Sequence, residues 1–227
     1  MEKSIMKALK ACPLFEGLTE QEIEKDMSEV EYSLYKYNKN DIYVSTGDFY
    51  PHADIVINGE LSVKMERSCG RCVKIGSYMM GKLSTPAQLF YDKMPLQVTI
   101  EAVRPTTLLS MSPSSLQKLF SIDQRIQMNF IKLLSSVAIT LARMVRQLTL
   151  FTVREKVAHY LDELSKKRNS NVITLDVSRQ EIADRFAIQK YSLQRVLGEF
   201  DKSGAIKLRG KYITILDREK LFSLANP

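Results

Sequence analysis

The stretch from Ser178 to Phe200, SRQEIADRFAIQKYSLQRVLGEF, leaves a chain little freedom in how it folds. Ser178 followed three residues later by Glu181 is a capping box. The hydroxyl accepts from the Glu181 backbone N–H while the carboxylate reaches back to the Ser178 N–H, so a helix begins there. Ile182, Ala183 and Phe186 predict its inner face, with Ala183 small where a second helix has to cross closely. Ala187-Ile188-Gln189 reads as a tight turn with one buried anchor, and Leu193, Val196, Leu197 and Phe200 as the inner face of the second helix. Two short helices joined by a three-residue turn describe a helix-turn-helix.

Turning those apolar faces inward leaves Gln189, Lys190, Tyr191, Gln194 and Arg195 projecting from the N-terminal half of the second helix, the part of such a motif that enters a DNA major groove. Lys190 and Arg195 can donate to guanine O6 and N7 or to phosphate, and Gln194 can pair with adenine. Arg179 suits a phosphate or the groove edge, as does its neighbour Gln180; Ser178, Ser192 and the hairpin residues Arg209 and Lys211 suit phosphates. The hairpin is read from AIKLRGKYITIL, turning at Arg209-Gly210.

Charge agrees with that placement. The net charge is +7; residues 1–150 carry 18 Lys and Arg against 16 Asp and Glu, and residues 151–227 carry 15 against 10. A small basic domain beside a nearly neutral one predicts an anionic partner. The N-terminal 17 residues lack the continuous apolar stretch of a signal peptide, no apolar run approaches the roughly 20 residues that cross a bilayer, and the three cysteines make no disulfide framework. The expectation is a cytoplasmic protein with no membrane partner.

From Asp41 to Met111 the pattern is short alternating stretches with turns between them. ADIVINGELSVKME places Ile55 and Ile57 on one face, turns at Asn58-Gly59, and returns with Leu61, Val63 and Met65, which predicts a hairpin with a type I′ turn. RCVKIGSYMM, LQVTIEAV and TTLLSMS alternate likewise. The fold class expected is α+β, with an N-terminal antiparallel β-roll of the double-stranded β-helix or jelly-roll kind over residues 1–120. A helix without Gly or Pro follows over residues 121–150, then a winged helix-turn-helix over residues 151–227. In the long helix Ile126, Phe130, Leu133, Val137, Leu141, Met144 and Leu148 recur at three- and four-residue spacings, which predicts a seam for a homodimer.

The order of these parts, and most specifically VSRQEIADRF followed by SLQRVLGEFDKSGAI, resembles the Crp/Fnr family of bacterial transcription regulators. The resemblance implies a homodimer on a pseudo-palindromic double-stranded DNA operator, with RNA polymerase as a further partner and no catalysis. Where such proteins commonly read bases with Arg, Glu and a later Arg, this chain has Lys190, Tyr191 and Arg195, so the half-site is expected to differ. Ala187 stands where the turn often has Gly. Cyclic-nucleotide-binding relatives have a Gly-Glu pair and a later Arg for the ribose and cyclic phosphate. Here Pro86-Ala87 stands at the first place and MPLQVTIEAV contains no Arg, so cyclic AMP is not the expected signal.

What remains is an expected apolar effector pocket of Met79, Met80, Pro86, Leu89, Phe90, Tyr91 and Met94. GKLSTPAQLF is similar to a subgroup associated with nitrosative-stress sensing, which would make haem a candidate cofactor, with His52, Met79, Met80 and Cys12 in the sensor half and His159 in the other half as candidate ligands. Cys69-Gly-Arg-Cys72 has dithiol spacing but no second pair to complete a zinc site, and it falls between two predicted strands where it can serve as a turn. No nucleophile elbow, phosphate loop or zinc motif is present, so nothing points to an enzyme.

Overall fold

Alternating strands must bury one face each, and the computed structural model, which describes residues 1–66, 72–91 and 94–225, shows how they do so. Two helices, α1 (Lys3–Ala11) and α2 (Glu20–Ser28), precede strands β1 (Ser33–Tyr37), β2 (Ile42–Val44), β3 (Ala53–Glu66), β4 (Cys72–Met79) and β5 (Thr99–Met111). The strands form one antiparallel sheet in the order β1-β5-β3-β4, with β2 also paired to β5. Helices α3 (Pro113–Ile122) and α4 (Gln124–Leu150) follow. The chain divides into two compact units, Met1–Ile139 and Thr140–Pro227, so the boundary falls inside α4, which the sequence reading treated as a segment of its own.

Asn58-Gly59 is not a hairpin turn. β3 runs straight through it, and its pairing with β5 shifts register between Val56 and Leu61. Gly59 adopts φ +91°, and a Cβ there would lie 2.6 Å from the Pro105 carbonyl and closer still to the Thr106 hydroxyl. A backbone of that hand suits glycine in a tight turn and in a bulge alike, so the dipeptide alone does not separate the two. The net offset of one residue has a large effect. Ile55 and Ile57 face the apolar cluster built from α1, α2, α3 and the start of α4, whereas Leu61 and Val63 face a second cluster with Tyr43, Ile100 and Leu108. A one-residue slip turns each later side chain to the opposite face. LQVTIEAV and TTLLSMS are likewise parts of the one strand β5.

A polar network lies buried in this unit. The Tyr43 hydroxyl donates to Asp54 Oδ2 and lies 2.9 Å from the Ser84 hydroxyl, while Asp54 is fully buried and its Oδ1 has no hydrogen-bond partner. Burial raises the Asp54 pKa, opposed by the nearby Ser110, Tyr43 and Tyr50 hydroxyls and the charge of His52. A carboxyl raised on folding contributes stability when pH is low enough to protonate it, and that contribution is lost as pH climbs through the folded value. Melts of the full chain from pH 4 to 7 are expected to show a component that declines with rising pH, absent in Asp54→Asn. An identical slope in both would assign it to another group.

The long helix divides the predicted seam residues between the core and the surface. Ile126 and Phe130 are buried in the first apolar cluster, Leu133 packs partly against it, and Asn129 donates to the Leu14 and Glu16 carbonyls at 3.2 and 2.8 Å. These residues serve their own unit's core. The apolar side chains left exposed on α4 include Ile131, Leu141, Val145 and Leu148, at spacings of a shifted heptad stripe that passes through Ala138. By length and composition α4 also passes for a membrane span, with a mean hydropathy of 1.4 in its most apolar window, which the sequence reading did not register; its first turns, however, are core.

Candidate nucleic-acid interface

The C-terminal unit consists of the end of α4, then α5 (Val153–Arg168), β6 (Val172–Thr174), α6 (Arg179–Arg185), α7 (Lys190–Lys202), β7 (Ile206–Arg209), β8 (Tyr212–Ile215) and α8 (Arg218–Ala225). Its core brings Val157, Leu161, Ile182, Ala183, Leu193, Val196, Leu197, Phe200 and Ile213 together. The Ser178 capping box is formed in both directions: the hydroxyl accepts from Glu181 N at 3.2 Å and Glu181 Oε2 accepts from Ser178 N at 2.8 Å. The turn is closed by backbone bonds from Ala187 N to Asp184 O and Ile188 N to Ala183 O. Ala187 sits at φ +52°, so this alanine takes the left-handed conformation that glycine adopts more cheaply.

With Leu193, Val196, Leu197 and Phe200 buried, Gln189, Lys190, Tyr191, Gln194 and Arg195 are all exposed, and Ser192 is half-buried. Arg195 is 3.9 Å from Glu199, which also accepts from Arg154 Nε at 3.0 Å. Glu199 therefore sits one turn below Arg195 and links it to Arg154. The sequence reading passed over it, although the i,i+4 spacing signals the pair. Gln180 donates to Asp184 at 3.1 Å, so its amide is partly committed within α6.

The predicted wing exists, and a third strand completes it in the order β6-β8-β7. Arg209 and Lys211 flank Gly210 at its exposed tip, and Arg179 donates to the Gly210 carbonyl at 3.1 Å, tying the tip to the start of α6. The buried Lys156, also unforeseen, donates to the Leu148 and Phe186 carbonyls at 3.1 and 3.5 Å, which fastens the end of α4 to the helix-turn-helix. Met144 and Leu148, predicted for the seam, line a cleft of about 260 Å³ with Tyr160 and Phe186.

The predicted effector pocket does not assemble as a closed lining. Leu89 is buried in the first core cluster and Pro86 is half-buried, whereas Met79, Met80, Phe90, Tyr91 and Met94 are exposed. Pro86–Gln88 forms one turn of 3-10 helix entered through Thr85 at φ +40°, and the Thr85 hydroxyl and Gln88 Oε1 are buried without hydrogen-bond partners. Its apolar residues were legible, but not the side of the chain on which each would lie.

The haem candidates do not fit that group. His52 adjoins the sheet at the start of β3, its ring tilted against Tyr50 at 4.8 Å, while Met79 pairs with Glu60, about 20 Å farther along the same strand. Met80 is exposed beside Met79. Cys12 is buried, with burial pushing its thiol up to about 11, and His159 lies between Phe151 and Phe222 in the C-terminal unit. Among the described residues no three His, Cys, Asp or Glu side chains gather as a metal site. Cys69 lies outside the described residues, and Cys72 is exposed at the start of β4.

Known proteins share this arrangement. The Crp-like helix-turn-helix domain matches residues 155–224, which hold α6, α7 and the wing. The Anaerobic regulatory protein of Haemophilus influenzae is 28% identical over 105 residues, 44% of this chain and 41% of that protein, so the match spans about two fifths of the relative's length. Over the whole fold, FixK2 from Bradyrhizobium japonicum aligns with a TM-score of 0.63 at 19% identity, covering 87% of this chain and 99% of that one. The catabolite activator protein of Thermus thermophilus aligns at 0.56 and 19%, covering 94% and 98%. With the matched Crp-like domain on the C-terminal unit and the shared architecture running through both, this chain resembles the Crp/Fnr family in domain and in fold.

Proposed function

We propose that the protein is a homodimeric transcription regulator that grips a pseudo-palindromic duplex with α7 in the major groove and the wing on the backbone. Regulators of this family act by binding DNA and are not enzymes. The observation that carries the reading is the exposed run of Gln189, Lys190, Tyr191, Gln194 and Arg195 on one rigidly seated helix. Two such helices related by a two-fold axis would enter successive major grooves about 34 Å apart. The exposed stripe of Ile131, Leu141, Val145 and Leu148 supports pairing through α4.

The signal in this reading is not cyclic AMP. Ser84–Gln88 offers no cationic side chain to a cyclic phosphate, and Ser84 is already engaged with Tyr43. Work in the cytoplasm, on DNA and with RNA polymerase, belongs to the same proposal.

Fluorescence anisotropy on a duplex selected from a random library tests it. Arg195→Ala is expected to weaken binding by about 1–3 kcal/mol and to relax base preference, whereas Lys211→Ala is expected to weaken all duplexes alike and lower the salt slope by about 1. No salt-dependent duplex binding, or an Arg195→Ala variant with unaltered affinity and preference, would overturn the proposed docking.

A further inference from the structure

Tyr191 is the most exposed large apolar side chain among the described residues, at 73%. It lies in the first turn of α7, and no hydrogen bond or ring contact to it is found among the described residues. A ring this bare on a basic helix face is free to be covered by a partner.

The surroundings narrow what that partner presents. The outward residues of the first two turns, Gln189, Lys190, Tyr191, Gln194 and Arg195, include no carboxylate. Both acids on α7 lie farther along and are occupied: Glu199 with Arg154 and Arg195, and Asp201 accepting from Leu208 N at 2.9 Å. The exocyclic amine of cytosine, read best by an acidic acceptor, has no such acceptor here. Lys190, Gln194 and Arg195 offer polar groups suited to guanine and adenine, and Tyr191 alone offers an apolar surface. In the major groove the one apolar feature of a base edge is the thymine 5-methyl group.

Building on the proposed DNA-binding function, we infer that Tyr191 is a specificity-determining residue that reads a thymine methyl group in each half-site, where an acidic residue would have selected a cytosine. The ring supplies the contact, so phenylalanine serves in its place and alanine does not.

The test exploits deoxyuridine, which differs from thymidine only by that methyl. The preferred duplex is first selected with the full chain from a random library. Each thymine is then exchanged for uracil, and affinities are measured for the wild type, Tyr191→Ala and Tyr191→Phe. One thymine per half-site is expected to cost the wild type about fourfold on exchange, the worth of one buried methyl group. Tyr191→Phe is expected to keep that penalty, and Tyr191→Ala to lose it while still requiring the guanines. A wild type indifferent to uracil at every thymine overturns the inference, as does a penalty that survives Tyr191→Ala or vanishes in Tyr191→Phe. Those results would leave DNA binding itself intact, whereas a library from which nothing is enriched overturns the proposed function as well.

Discussion

Gly59→Ala is expected to destabilise the N-terminal unit by about 3–5 kcal/mol in urea unfolding followed by a probe in that unit. Two costs combine. The backbone at φ +91° is one that an L side chain adopts only under strain, and the new Cβ would press into the Pro105 carbonyl and the backbone and hydroxyl of Thr106. Neither neighbour yields cheaply. Thr106 Oγ1 accepts from Glu60 N at 3.1 Å and donates to the Arg104 carbonyl at 2.8 Å, so moving it breaks the bonds that shape the bulge. Gly76, on β4, provides the control: a Cβ there meets nothing within 4 Å and its φ is ordinary, so Gly76→Ala is expected to change stability by no more than about 0.5 kcal/mol. Equal effects at the two glycines would mean that β3 does not bulge at Gly59.

Phe200→Ala is expected to cost the C-terminal unit about 3–5 kcal/mol, the usual penalty for emptying a buried aromatic site. Phe200 is 1% exposed and lies on the buried face of α7 itself, opposite Gln194 and Arg195. A unit of this size commonly has only 5–15 kcal/mol in hand, so its Tm should fall by about 15 °C or more. Because folding is required for DNA binding in the proposed function, duplex at a hundred times its Kd should restore about 2.7 kcal/mol by mass action. The variant would then bind at low temperature and fail on warming. A Tm within a degree or two of the wild type would show that α7 is not anchored to the core through Phe200.

The helix-turn-helix was legible because its signals are local. Ser178 and Glu181 start the helix from within the sequence, and the 3.6-residue period of the buried positions needs no knowledge of the rest of the chain. The β-rich half was legible only as composition. Asn58-Gly59 marked a backbone irregularity correctly, but whether the chain reverses there or merely kinks depends on β5, whose Thr106 and Thr107 sit some 50 residues away in sequence. The start of the α4 stripe was misplaced for a similar reason. Ile126 and Phe130 share the period of a seam, and only the fold shows that a core already claims them. Lys156 and Asp54 gave no sequence signal, since a buried charge is defined by its surroundings.

The strand that changes faces at Gly59 also sets how the N-terminal unit can come apart. Before Gly59 it sends Ile55 and Ile57 into one apolar cluster and Val56 into the other, which Leu61 and Val63 join after it, so neither cluster can open alone without peeling part of the same ladder from β5. Two cores that would otherwise loosen independently are joined into one cooperative opening unit. The paired amides at the centre of β3 are then expected to exchange with solvent through opening of the whole unit.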